Sequence, residues 1–176
     1  MVLTDYQEVT QGTAIVWGES GGSGVTATMA VNALANGAAW MGAAVDLGAN
    51  FARRYRVTLR TETGTAPTAG NTDDLHLVTS PDNTNWPAKV TGSSASYTLG
   101  TSDANLRQAG PPVVSLMATA DANTTIEQAS VIWEADGRYV VPIRVNRMGQ
   151  AYRNQATASN NTSRVILTPL RDVNNE

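Results

Sequence analysis

The sequence predicts an all-β domain, a jelly-roll-like β-sandwich with a short N-terminal arm. Three observations carry this. Eight or nine short β-prone runs are separated by Gly, Pro, Asn and Asp turn signals, the spacing of a sandwich or jelly roll. One run, Phe51 to Arg60, alternates cleanly with period two. The chain of 176 residues suits one domain with a sizeable core. Helix is therefore expected in fewer than about 15% of residues.

The elements follow in order. Residues 1–24 read as an N-terminal arm ending in a Gly-rich hinge, and residues 25–176 as the sandwich. Within the arm, Thr13 to Trp17 is a short strand-like run, and Gly18 to Gly24 has the backbone freedom of a loop. Two placements of this run stay open: folded back as an edge strand, or added to a neighbouring subunit's sheet by β-augmentation. Ile15, Val16 and Trp17 are candidate interface residues on that account. Val25 to Val45 is Ala-rich yet broken by Asn36-Gly37 and Gly42. It reads as a strand, a short helical turn around Asn32-Ala33-Leu34-Ala35, and a second strand into Leu47.

Phe51, Arg53, Tyr55, Val57 and Leu59 alternate with Ala52, Arg54, Arg56, Thr58 and Arg60, giving one mostly apolar and one mostly cationic face. Arg54, Arg56 and Arg60 form a candidate interface patch, because Arg is enriched at interfaces. Further strands are Leu75 to Thr79, Ser96 to Leu99, Pro112 to Thr119, Thr125 to Trp133, Tyr139 to Val145 and Arg164 to Leu170. The Asp136-Gly137 pair predicts that Thr125–Trp133 and Tyr139–Val145 are hairpin neighbours.

Composition removes several function classes. Charged residues total 15%, the net charge is -3 and the pI is near 5.1, which disfavours nucleic acid as a partner. No cysteine is present, excluding disulfides and thiolate chemistry. The start, MVLTDYQEVT, lacks the basic and apolar regions of a signal peptide, and no run approaches a membrane span. No membrane partner is expected.

His76 is the only histidine, and no Gly-x-Ser-x-Gly elbow supports a triad. It reads as a strand residue with one hydrogen-bonded nitrogen. Asp73-Asp74 and Asp82-Asn83-Thr84-Asn85 read as acidic turns, since an EF-hand's glycine and distal glutamate are missing. Glu127 and Glu134, seven apart on one strand, fall on opposite faces and make a poor glycosidase pair. The sequons at Asn123, Asn160 and Asn161 follow from Asn and Thr abundance. No catalytic residue, cofactor or metal is expected. Trp86 follows a polar loop, so it is either a lid over the core or a stacking platform for a sugar ring.

The order of features also carries a resemblance. Val31-Asn32-Ala33-Leu34-Ala35-Asn36-Gly37 leads to Val45-Asp46-Leu47-Gly48, then Tyr55 to Leu59, then Gly64 to Gly70. Asp74 to Asp82 follows, and Val145 to Ala151 precedes Val165 to Leu170. Over residues 25 to 170 this resembles a loose group of tailed-bacteriophage virion proteins with jelly-roll or sandwich folds. They occur as head decoration proteins and as tail or fibre components. The resemblance implies a non-enzymatic structural protein located on the virion, at the capsid surface. Its partners would be the major capsid protein or other virion proteins, and it would form a homo-oligomer such as a trimer. The alternative is a carbohydrate- or receptor-binding module of a tail or fibre. A hydrolase with carboxylates from distant loops is the third reading.

Overall fold

The computed structural model describes residues 8–10, 12–120, 126–154 and 162–172. The first seven residues of the expected arm and the three sequon asparagines lie outside them. In chain order the elements are β1 (Glu8–Thr10), β2 (Ile15–Gly18), β3 (Ala27–Thr28), β4 (Ala39–Met41), β5 (Val45–Asp46) and β6 (Arg54–Glu62). Then come β7 (Thr72–Ser80), β8 (Ala95–Tyr97), α1 (Ala104–Arg107), β9 (Val114–Met117), β10 (Ile126–Glu134), β11 (Tyr139–Arg147) and β12 (Arg164–Asp172). The protein is an all-β sandwich of two sheets. The first sheet runs β10-β6-β12-β2-β3, with β1 also on β12; the second runs β8-β4-β11-β7-β9, with β5 also on β11.

The alternation expected for β6 is realised. Tyr55, Val57 and Leu59 are buried, whereas Arg56 is exposed and Arg54 and Arg60 are half-buried. Each fully buried Val or Leu here contributes about 1.5–3 kcal/mol of apolar burial. Leu75 of β7, Val140 of β11, and Val165 and Leu167 of β12 meet them in the core between the sheets. The Thr13–Trp17 run folds back onto its own sheet. Trp17 pairs with Val165 on one side and Ala27 on the other, and its side chain is fully buried. The Gly-rich segment closes two turns, Gly22 N–H to Glu19 O and Val25 N–H to Gly22 O, that return the chain beside β2.

Two prolines explain two strand breaks. A proline cannot donate to a ladder. Pro142 lies in the middle of β11, between the stretches that pair with β4 and with β5, and its carbonyl accepts the Gly42 N–H at 2.8 Å. Trp17 fills the gap left there, donating its indole N–H to Ala43 O at 2.8 Å. Pro169 likewise separates the part of β12 paired with β2 from the part paired with β1.

The long connection from β7 to β9 folds over the outer face of the second sheet. Ala88, Val90, Tyr97 and Leu106 from it bury Met41, Val78, Val141, Ile143 and Val145 in a second core. β11 therefore has apolar or buried neighbours on both faces, and all of Val140–Asn146 is buried.

Two expectations need correction. β10 and β11 are not hairpin neighbours: β10 pairs with β6, while β11 pairs with β4, β5 and β7. The Asp136-Gly137 pair lacks the positive φ that a two-residue hairpin requires. Gly137 instead packs its bare Cα so closely on Thr79 that an added Cβ would lie 2.8 Å from the Thr79 Cβ. The helical turn at Asn32–Ala35 is a pair of β-turns, closed by Leu34 N–H to Val31 O and Ala38 N–H to Ala35 O. Ala33 has φ +53°, outside the right-handed helical region. The helix falls instead at Ala104–Arg107, a single turn after a 3₁₀ turn at Thr101–Asp103.

Gly42 gives a sharp test of the packing around Trp17. A Cβ there would lie 2.8 Å from Pro142 Cγ and 2.9 Å from Trp17 Cδ1. Gly42→Ala is expected to destabilise the fold by about 1–3 kcal/mol through overpacking. Urea unfolding should show a lower midpoint with an unchanged slope.

Candidate functional site

The cationic row predicted on β6 gains a fourth member from β12. Cross-strand pairing sets Arg164 opposite Arg60, and Thr168 and Leu170 opposite Arg56 and Arg54. Side chains directly opposite in an antiparallel pair share a face, so Arg54, Arg56, Arg60 and Arg164 all belong to the outward face of the first sheet. Burial first, and then the Arg60 charge, hold the Arg164 guanidinium below its usual value. Like charges in direct cross-strand register are unfavourable for the isolated domain. Sequence reasoning missed Arg164 because only the β6–β12 register brings it here.

Beside this face lies β10, the end strand of the first sheet. It pairs with β6 through nine successive residues without a bulge. The Ala135 N–H donates to Arg53 O at 2.9 Å, one step beyond the Glu134–Arg54 pair. Antiparallel ladders alternate, so Glu127, Ala129, Val131 and Trp133 turn their backbone groups toward β6. Ile126, Gln128, Ser130, Ile132 and Glu134 turn theirs outward. No strand among the described residues pairs with that side. Ile126, Val131 and Ile132 are 39%, 37% and 38% exposed, which is unusual for large apolar residues on an edge.

The other candidates fall elsewhere. Ile15, Val16 and Trp17 sit inside the first sheet, so only the half-buried Ile15 and Val16 retain any exposure. Trp86 is half-buried against the second core and gives its indole N–H to Asn83 O at 3.2 Å. Asp82 closes its own turn, accepting from the Thr84 and Asn85 N–H groups at 2.9 Å each, and these bonds hold its carboxyl well below the usual range. Glu127 accepts from Thr119 N–H and Oγ1 at 2.9 and 2.8 Å. Among the described residues no cluster of acids and histidine suits a metal, and no helix is long and apolar enough to cross a membrane.

His76 stands at a second feature. It lines a cavity of about 420 Å³ on the outer face of the second sheet, with Asp74, Asp103, Leu106, Arg107, Pro111, Pro112 and Arg147. Its Nδ1 lies 3.0 Å from Gly110 O, so Nδ1 carries the proton and Nε2 is an acceptor. Burial holds the imidazole pKa below its usual value, although the Gly110 carbonyl and Asp74 pull upward. Comparison with known proteins finds no matching family model, no matching curated protein and no matching solved structure.

The depressed His76 pKa has a signed consequence. Between the folded value and the ordinary value near 6.5, the unfolded chain binds more protons than the folded one. That contribution is complete above about pH 6.5 and is lost as pH falls through the folded value. The urea midpoint should therefore drop more between about pH 7 and pH 5 in the natural protein than in His76→Gln. Equal drops in the two proteins would rule this out.

Proposed function

We propose that this chain is a structural virion protein of a tailed bacteriophage, a capsid decoration protein that self-associates and binds the shell lattice. The single observation that carries self-association is the nine-residue open edge of β10 with its exposed Ile126, Val131 and Ile132. Such an edge is a template for a further strand. The virion assignment rests on the resemblance over residues 25 to 170. The strand order favours the jelly-roll form of the sandwich, since β2-β12-β6-β10 faces β4-β11-β7-β9. In that order the chain alternates between sheets as two nested Greek keys would. The arginine face of Arg54, Arg56, Arg60 and Arg164 is the second contact surface, suited to an acidic patch on a capsid subunit.

Two measurements test this. The natural protein should sediment as an oligomer, and Ile132→Glu should sediment as a monomer with its melting temperature preserved, because a charged edge side chain opposes strand addition and this one stands directly opposite Arg56. Arg54→Glu with Arg56→Glu should abolish co-sedimentation with shells assembled from the major capsid protein of the same phage. A natural protein that stays monomeric at high concentration and ignores shells would overturn the proposal.

A further inference from the structure

We infer that the cavity at His76 is a binding site for a neutral pyranose sugar, a role independent of assembly through the first sheet. Its volume of about 420 Å³ falls within the roughly 300–1,000 Å³ of small-molecule sites. Its lining has the donor and acceptor mix that vicinal hydroxyls require. Arg147 bridges two carboxylates, with Nε 3.4 Å from Asp74 Oδ2 and Nη2 2.6 Å from Asp103 Oδ2. Ser115 Oγ donates to the other Asp74 oxygen at 2.5 Å. Asp74 is thus oriented by Arg147 and Ser115, and Asp103 by Arg147, and each carboxylate keeps lone pairs for a further donor. His76, with its proton committed to Gly110 O, adds an uncharged acceptor. Arg107, exposed on α1, has no ion pair among the described residues and adds donors at the rim.

Charge chooses the ligand class. Asp74 and Asp103 balance Arg107 and Arg147, and the imidazole is neutral, so the cavity favours neither an anion nor a cation. Leu106, Pro111 and Pro112 supply an apolar wall for the C–H face of a ring. The loop that carries Asp103 is also conformationally costly. Ser102 and Asp103 are consecutive non-glycine residues at φ +51° and +59°, and such positions persist only when their surroundings hold them. That geometry places Asp103 against Arg147.

His76 is the only histidine, so its ring resonances report on this cavity alone. Glucose, galactose, mannose and N-acetylglucosamine, each titrated into the full-length protein at millimolar concentration, should include one that shifts the His76 signals saturably. Asp103→Ala and Arg107→Ala, checked as folded by circular dichroism, should each weaken that titration at least about tenfold, the loss expected for hydrogen bonds to charged groups. Silence of the His76 signals toward all four sugars would overturn the inference. So would a response to glucuronate alone, because that would assign the cavity to anions. Either failure leaves the sedimentation tests of the first sheet untouched.

Discussion

The sandwich is built around one buried charge pair. Arg144 and Asp73 are fully buried and ion-paired between the sheets. The arginine also donates to Thr61 Oγ1 at 2.8 Å, and the Tyr152 hydroxyl donates to Asp73 Oδ1 at 2.6 Å. The Arg144 guanidinium lies over the Tyr152 ring, 4.6 Å from its centroid. Burial above all raises the Tyr152 pKa well beyond its ordinary value. The four residues come from β11, β7, β6 and the segment after β11, so the network ties both sheets in one register. A buried pair is weak as a source of net stability, since desolvation offsets attraction, yet losing one partner costs about 3–5 kcal/mol. A slip of β11 by one residue would carry Arg144 into the second, apolar core and leave Asp73 unpaired. The pair therefore selects the alignment on which every outward-facing row depends.

That alignment makes the two sheets unequal. The connection between β7 and β9 covers the second sheet, so β11 is buried on both faces and carries Val141, Ile143 and Val145 toward the second core. Among the described residues the first sheet has no such cover over β10 and β6, and its outer rows hold arginine, hydroxyl and isoleucine side chains in place of a packed layer. Thr58 and Ser130 share a hydrogen bond of 2.8 Å on this face, polar contact where the second sheet has apolar contact.

How much of this the sequence disclosed depends on how each strand is buried. β6 is buried on one face only, so its alternation was readable, and with it the rows of Arg54, Arg56 and Arg60. β11 is buried on both, so Tyr139–Val145 announced a strand but not its central place. The Asp-Gly pair misled because the turn it suggested is local, whereas the passage from β10 to β11 is set by the sheet each strand must join. Pairing also hid Arg164 from the cationic row and Arg144 from the core, since neither is marked by its neighbours in sequence. Trp86 was legible only as a choice between lid and platform. The loop-closing Asn83 carbonyl holds its N–H. The cavity at His76 was illegible, because Asp74, Asp103 and Arg147 converge from β7, the α1 loop and the end of β11.

Edge strands show where the fold is open. β3 has two residues, β8 three and β9 four, lengths that offer little to an incoming strand. β10 has nine, without proline, glycine or lysine. Proteins usually blunt long edges with such residues. An edge whose only charged residues are Glu127 and Glu134, beside four arginines, is consistent with a surface that is covered in use. The cavity of Asp74 and His76 opens on the outer face of the other sheet. A copy held through the first sheet would keep its second sheet facing outward. The proposed assembly and the proposed sugar binding draw on different groups of this fold: the first would use backbone groups at an edge and the second side chains gathered by the insertion.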